Sequence, residues 1–74
     1  MYDFEVVSFN GDVLLSTTAR GDIQFRTVIE WLKLQAPCHR CSLVHETTIM
    51  DPFEQIGEYF TPHSQNRITV VINP

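Results

Sequence analysis

One segment, the fourteen residues from Asp22 to Gln35 (DIQFRTVIEWLKLQ), is long and regular enough to form a full helix. Its apolar residues recur at intervals of three and four: Phe25, Val28, Ile29 and Leu32. This spacing puts them on one stripe of a helix, which predicts an amphipathic helix lying on a sheet. We expect Asp22 to cap its N-terminus, and Ala36-Pro37 to end it because proline disfavours helical geometry in the preceding residue.

Residues 2–18 carry the pattern of a β-hairpin. Alternation over Tyr2 to Phe9 predicts a half-buried strand, and Asn10-Gly11 suits a two-residue type I′ turn. With that turn, a returning strand from Val13 to Thr18 places Val7 opposite Leu14. The side predicted to face the core then holds Phe4, Val6, Val13 and Leu15. The opposite side holds Val7, Phe9 and Leu14.

The second half of the chain predicts a strand, a short helical turn and a last strand. Cys41 to His45 can form the third strand, in which Leu43 and Val44 point to opposite faces. Asp51-Pro52 is a helix-start signal for a turn that reaches about Tyr59. Arg67 to Ile72 is rich in β-branched residues and apolar on both faces towards its end, which is typical of a central strand.

The length and charge of the chain exclude some classes of protein and of binding partner. Seventy-four residues make a single domain, residues 1–74, and the scattered basic residues with a net charge of −4 argue against nucleic-acid binding. No apolar run approaches the roughly 20 residues that span a bilayer, and the N-terminus lacks the bases of a signal peptide. We therefore expect a soluble intracellular protein, cytoplasmic or nuclear, without membrane insertion.

The order of these elements, hairpin, helix, strand, helical turn and strand, is that of the β-grasp fold. The sequence resembles a divergent ubiquitin-like domain over nearly its whole length, on the segments FEVVSFNGDVLL, SLVH, IGEYF and ITVVI. The resemblance implies an α+β domain of β-grasp type. It further implies a mixed four-stranded sheet with one main helix packed across it and a short helical turn before the last strand.

The resemblance also implies where a partner would bind. Ubiquitin and many relatives bind other proteins on the sheet face away from the helix, and the matching positions here are Phe9, Val44 and Val71, with Thr69 nearby. The hairpin register independently places Val7 and Leu14 on that face. An exposed apolar patch on a small domain usually marks an interface, although loops, the tail or a second copy of the chain could cover it.

These residues predict a docking domain that binds another protein, as part of a longer chain or as a subunit of a larger complex. On the helix, Trp31 and Leu34 are a second possible contact. The sequence ends at Asn73-Pro74 without the Gly-Gly of conjugated modifiers. The alternative is a ubiquitin-like modifier whose Gly-Gly tail is absent from this chain.

Cys38 and Cys41 form a single C-x-x-C pair, which could supply two ligands of a metal site. Zinc needs four ligands, and no second paired motif supplies the other two. We expect two ordinary thiols, no cofactor, and no catalytic site, since no base and orienting group are spaced around a nucleophile. A small metal or thiol protein that uses both cysteines is the other alternative.

Overall fold

The computed structural model describes residues 1–35 and 40–73, which form one helix lying across a five-stranded sheet. The elements are β1 (Tyr2–Val7), β2 (Val13–Ala19), α1 (Phe25–Gln35), β3 (Arg40–His45), β4 (Thr48–Ile49), a 3-10 helix (Ile56–Glu58) and β5 (Gln65–Asn73). The strand order is β2-β1-β5-β3-β4, with β1 and β5 parallel and the other neighbours antiparallel.

The expected α+β architecture is confirmed, but the prediction of four strands is wrong. The additional strand, β4, contributes only two residues at the edge of the sheet. Two residues are too few to show the alternation by which a strand is read from sequence. The last strand, β5, lies in the centre between β1 and β3, as its β-branched sequence predicted.

The stripe on α1 packs on the sheet, as its spacing predicted. Phe25, Val28 and Leu32 are buried, and Ile29 packs at their margin. They meet side chains from the inner face of the sheet. The largest fully buried side chains are Phe4, Phe25, Leu43, Ile56, Ile68, Val6 and Val28.

The start of α1 differs from the prediction, because the cap comes from another segment. The backbone N–H of Phe25 donates to the carbonyl of Glu54 at 3.0 Å, and that of Arg26 donates to the carbonyl of Pro52 at 2.9 Å. Asp22 lies ahead of the helix and forms an exposed ion pair with Arg20. The free N–H groups of a first helical turn need hydrogen-bond acceptors. Here backbone carbonyls from a segment distant in the sequence accept these bonds in place of a capping side chain.

The segment that supplies those carbonyls is itself not a helix at its start. Asp51 accepts a hydrogen bond from the Phe53 N–H at 2.8 Å, which closes a turn, and the 3-10 helix begins only at Ile56. The predicted helix start at Asp51 is therefore wrong. Ile56 and Phe60 are buried in the core.

The hairpin contains a β-bulge that the sequence did not reveal. Val6 lies opposite Leu15 as predicted, but Val7 lies opposite Val13, so Leu14 is an extra residue in β2. A bulge turns the residues beyond it to the other side of the strand. Leu14 consequently packs against the core, whereas Val13 is 53% exposed, the reverse of the predicted placement.

The turn of the hairpin is longer than predicted. The Ser8 carbonyl accepts the Gly11 N–H at 2.9 Å, and the Ser8 N–H donates to the Asp12 carbonyl at 2.8 Å. Gly11 has a φ of 92°, while Asn10 is not in the positive-φ region that a type I′ turn requires of both central residues. The turn therefore spans Ser8 to Asp12, with glycine at the one position that needs left-handed backbone.

Candidate docking face

One residue from each strand forms a row across the sheet face turned away from α1, which we call the outer row. The register places Val13 opposite Val7, Val7 opposite Thr69, Thr69 opposite Val44, and Val44 opposite Ile49. Neighbouring strands lie about 4.8 Å apart, so five strands make a row of roughly 19 Å. Four of its five side chains are hydrocarbon.

The side chains in the middle of the outer row are buried or half-buried, and those at both ends are exposed to solvent. Val7 is buried although it is not part of the core beneath α1, and Thr69 and Val44 are half-buried. The two edge residues, Val13 and Ile49, are 53% and 70% exposed. Solvent therefore reaches the apolar side chains at the two ends of the row more than those at its centre.

Two further apolar residues lie beyond the outer row at the same end of the sheet. β1 and β5 run parallel, so residues following Val7 and residues following Thr69 extend in the same direction. Beyond Val7 lies Phe9, which is in the turn and is 88% exposed. Beyond Thr69 lies Val71, which is in β5 and is 37% exposed. Phe9 is the most exposed large apolar side chain among the described residues.

The opposite end of the same face is polar and internally paired. Arg67 and Glu5 lie opposite each other on neighbouring strands and form an ion pair at 2.7 Å. The Thr18 hydroxyl donates to the Asp3 carboxylate at 2.5 Å. The charged side chains at this end thus have partners within the domain.

The structure brings most of the predicted interface residues together on this face. Val44, Thr69 and Val71 lie there, and Val7 lies there but is buried, whereas Phe9 lies in the exposed turn that follows β1. Leu14 does not, because the bulge turns it towards the core. Placement on one face is a geometric result, and binding by these residues stays a prediction.

The sequence did not predict that Val13 and Ile49, the exposed ends of the outer row, lie on this face. The bulge concealed Val13, which an unbroken hairpin register assigns to the core. Ile49 follows Thr48 and precedes Met50, and only Met50 is buried. The two residues of β4 show no alternation, so the sequence carried no signal for Ile49.

The second possible contact, on α1, consists of two residues in different environments. Trp31 is half-buried and packs against the core, whereas Leu34 is 85% exposed. The two therefore do not form one apolar surface of the kind seen on the sheet. Leu34 is an isolated exposed leucine on the other side of the domain.

The cysteine motif lies partly outside the described residues. Cys38 falls there, and Cys41 lies half-buried in β3, packs against the core and is disulfide-bonded. The expectation of an ordinary thiol is therefore wrong for Cys41, and a disulfide sulfur does not ligate zinc as a thiolate. Within residues 1–35 and 40–73 no group of three histidine, cysteine or acidic side chains converges as for a metal ion.

Two other searches of the described part of the chain gave negative results. No pocket opens among these residues. No helix in this part of the chain has the length and the apolar character needed to cross a membrane.

Comparison with solved structures identifies the architecture. A ubiquitin-fold protein from Arabidopsis thaliana superposes with a TM-score of 0.83 over 99% of this chain and 86% of its own, at 9% sequence identity. The chain has the ubiquitin fold. A computationally designed protein based on the template of human erythrocytic ubiquitin matches this ubiquitin-fold domain with a TM-score of 0.76 and 22% identity. That match covers all of this domain and 94% of the designed protein.

The sequence comparisons give no closer relationship. No protein-family model and no curated protein matches this ubiquitin-fold domain. At identities of 9% and 22%, the structural similarity establishes the fold but not the function. The function has to be argued from the surface residues of this domain.

Proposed function

We propose that this ubiquitin-fold domain is a non-catalytic protein-interaction domain, or a small subunit of an assembly, that docks through its outer sheet face. One observation carries the proposal: an apolar row crosses all five strands and ends in exposed Val13 and Ile49, with Phe9 fully presented beside it. Exposed large apolar side chains gathered on one side of a small domain are typical of interaction sites.

The exposed residues have the properties of interface anchors. Phe9 offers a large rigid ring with few rotatable bonds, and burying such a side chain in a partner's pocket provides much of the binding energy in typical interfaces. Val44 and Thr69 add a flat, preordered surface, because their own neighbours already hold them half-buried. A partner therefore meets a surface that loses little conformational entropy on binding.

The charge distribution supports an apolar mode of recognition. Glu5 and Arg67 neutralise each other within the domain, so neither is free to attract an oppositely charged partner. Arg40 is exposed on the same face at the apolar end, so we expect ionic strength to change the affinity through Arg40 and not through Glu5 or Arg67.

Substitutions on the two sides of the domain test the proposal. Ile49→Asp and Phe9→Asp should abolish partner capture, with a loss of roughly thirtyfold or more in affinity if either residue is an anchor. Val44→Asp should act in the same way at the centre of the face. The matched control is Leu34→Asp, which makes the same chemical change at an exposed leucine on α1.

The measurement is quantitative pull-down with each variant, followed by titration of the recovered protein. Partners retained by the wild type and Leu34→Asp, but lost with Ile49→Asp and Phe9→Asp, would support docking on the outer face. Retention by all the sheet variants, or loss with Leu34→Asp alone, would contradict it. Leu32→Asp, which places a charge in the core, should unfold the domain and serves as a control for folding.

A further inference from the structure

The turn of the first hairpin contains an asparagine followed directly by a glycine, Asn10-Gly11. This dipeptide favours a tight turn, but it also places a side-chain amide next to a backbone nitrogen whose own residue has no side chain. Three conditions let these two groups react with each other. The asparagine has to be accessible to water, the nitrogen has to be unhindered, and the backbone has to open without unfolding the domain.

The turn is open to solvent over its whole length. The five residues from Phe9 to Val13 are all exposed. No atom beyond its chain neighbours lies within 4 Å of the position that a Cβ would occupy on Gly11. Among the described residues, the Asn10 side chain has no hydrogen-bond partner that would hold its amide in place. Water therefore has free access to both reacting groups.

Three local hydrogen bonds hold the turn. The Gly11 N–H donates to the Ser8 carbonyl at 2.9 Å, and the Ser8 N–H donates to the Asp12 carbonyl at 2.8 Å. The Asp12 N–H donates to the Ser8 hydroxyl at 3.2 Å. Release of the Gly11 N–H breaks one of these bonds and exposes no core side chain. Local openings of this kind cost far less free energy than global unfolding.

We propose that Asn10 is a site of spontaneous deamidation in the folded protein, with water as the co-reactant. The Gly11 nitrogen attacks Cγ of Asn10, so a new C–N bond forms. The bond from Cγ to the side-chain nitrogen breaks, and ammonia leaves with the proton that the Gly11 nitrogen lost. Water then opens the resulting five-membered imide. Hydrolysis at the side-chain carbonyl gives aspartate, and hydrolysis at the backbone carbonyl gives isoaspartate.

Asn66 is an internal control within the same chain, because it meets none of the three conditions. It is buried, and its amide nitrogen lies within hydrogen-bonding distance of three backbone carbonyls. The next residue is Arg67, whose side chain hinders the backbone nitrogen. Reaction at Asn66 needs a larger opening of the domain, so it should be at least about tenfold slower than reaction at Asn10.

The reaction changes both the charge and the geometry of the turn. A neutral amide becomes a carboxylate beside Phe9, which makes the net charge of −4 one unit more negative. Isoaspartate also adds one carbon to the backbone between Ser8 and Gly11, so the hydrogen bond between them loses its geometry. The amide resonances of Ser8 and Gly11 should therefore shift, whereas that of Val28 in the core should not.

Peptide mass spectrometry of the aged, folded full-length chain tests the proposal. The tryptic peptide of residues 1–20 contains Asn10 and no other asparagine or glutamine, so a mass increase of about 1 Da in it can arise only there. The increase should appear faster at alkaline than at neutral pH, because the attacking nitrogen loses a proton. Methylation by a protein isoaspartate methyltransferase identifies the isoaspartate fraction.

Asn10→Gln is the matched control, since it keeps the amide but would need a six-membered ring. Its peptide should react at least about tenfold more slowly than that of the wild type. Amide spectra confirm that both proteins are folded. An unmodified wild-type peptide from the folded protein would overturn the proposal, whether or not protein unfolded in urea is modified. Equal rates at Asn10 and Asn66, or in the wild type and Asn10→Gln, would also overturn it.

The modification of Asn10 does not depend on the proposed docking function. Ile49→Asp lies on the edge strand at the other end of the sheet and should leave the rate at Asn10 unchanged. Asn10→Gln keeps the charge of the turn and should leave capture of another protein intact. The two proposals can therefore fail or succeed separately.

Discussion

Asn66 is the one buried polar side chain among the described residues, and it joins three parts of the chain. Its Oδ1 accepts the Thr61 N–H at 2.8 Å. Its Nδ2 lies within hydrogen-bonding distance of the carbonyls of Asp3 at 3.0 Å, Thr61 at 2.9 Å and Ser64 at 3.1 Å. The side chain thus fixes the loop before β5 to the start of β1.

Asn66→Ala should lower the free energy of unfolding by about 2–4 kcal/mol. Removing the amide leaves backbone groups of Thr61 and Asp3 without this partner in a part-buried site, and each such group costs roughly 1–3 kcal/mol. Urea denaturation measures the change. Gln65→Ala, at the exposed neighbouring position, is the control and should change stability by less than about 0.5 kcal/mol. Similar losses in both variants would contradict the role assigned to Asn66.

Tyr59 makes the stability of the domain depend on alkaline pH. Its hydroxyl donates to the Glu54 carboxylate, and this bond raises the pKa of Tyr59 above its ordinary value of 10.0, assisted by burial and by nearby acidic residues. A phenol whose pKa is higher in the folded than in the unfolded protein favours folding while it stays protonated. Its contribution is complete below about pH 10 and is lost as the pH rises through the folded-state pKa.

We expect wild-type stability to fall more steeply above pH 10 than that of Tyr59→Phe. Denaturation at several pH values between 9 and 12 measures the difference, and absorbance of tyrosinate reports the titration directly. Tyr2→Phe retains the Glu54 contact and should show the wild-type dependence. Equal pH profiles for the wild type and Tyr59→Phe would show that the hydrogen bond does not persist in solution.

At the scale of elements, the bulge in β2 decides which hydrophobic residues stabilise the domain. Leu14 packs against the core, and Val13 is exposed at the end of the outer row. Leu14→Ala should therefore destabilise the domain by about 1–2 kcal/mol, and Val13→Ala by less than about 0.5 kcal/mol. Thermal or urea denaturation of the two variants compares them.

An unbroken hairpin register makes the opposite prediction for this pair of variants. In that register Val13 faces the core and Leu14 faces outward. A larger loss for Val13→Ala would therefore show that the strand lacks the bulge in solution. Phe9→Ala, in the exposed turn, is the control for a hydrophobic truncation without burial.

At the scale of the whole molecule, the last strand closes the sheet. Val6 lies opposite Ile68, so the first and last strands pair across most of the chain, and β5 also pairs with β3. Ile68 and Val70 are buried in the core. Within the sheet, the hairpin and the region from β3 to β4 are therefore joined through β5.

A fragment ending before Gln65 should stay unfolded. Without β5 the sheet splits into two parts, and each loses the apolar partner that covers its inner residues. Circular dichroism and amide dispersion would measure this directly. A dispersed spectrum with cooperative unfolding for residues 1–64 would contradict the central role of β5. The full chain measured under the same conditions is the reference.

The sequence alone was sufficient for features with a regular local period. The stripe of α1, the β-branched β5 and the order of the elements follow from intervals of two or of three and four residues, and those intervals depend only on backbone geometry. The ubiquitin-like resemblance rests on the same order, and the structural comparison confirms the fold. The positions of Val44 and Val71 on the outer face follow from that order as well.

Only the tertiary structure decided which residues reach the surface at the sheet edges and how α1 begins. The bulge at Leu14 depends on how β2 registers against β1, and a shift of one residue exchanges the two faces. The cap on α1 comes from carbonyls some thirty residues away, and β4 exists only because Ile49 pairs with Val44. These features arise from contacts between distant segments, which no local period in the sequence encodes.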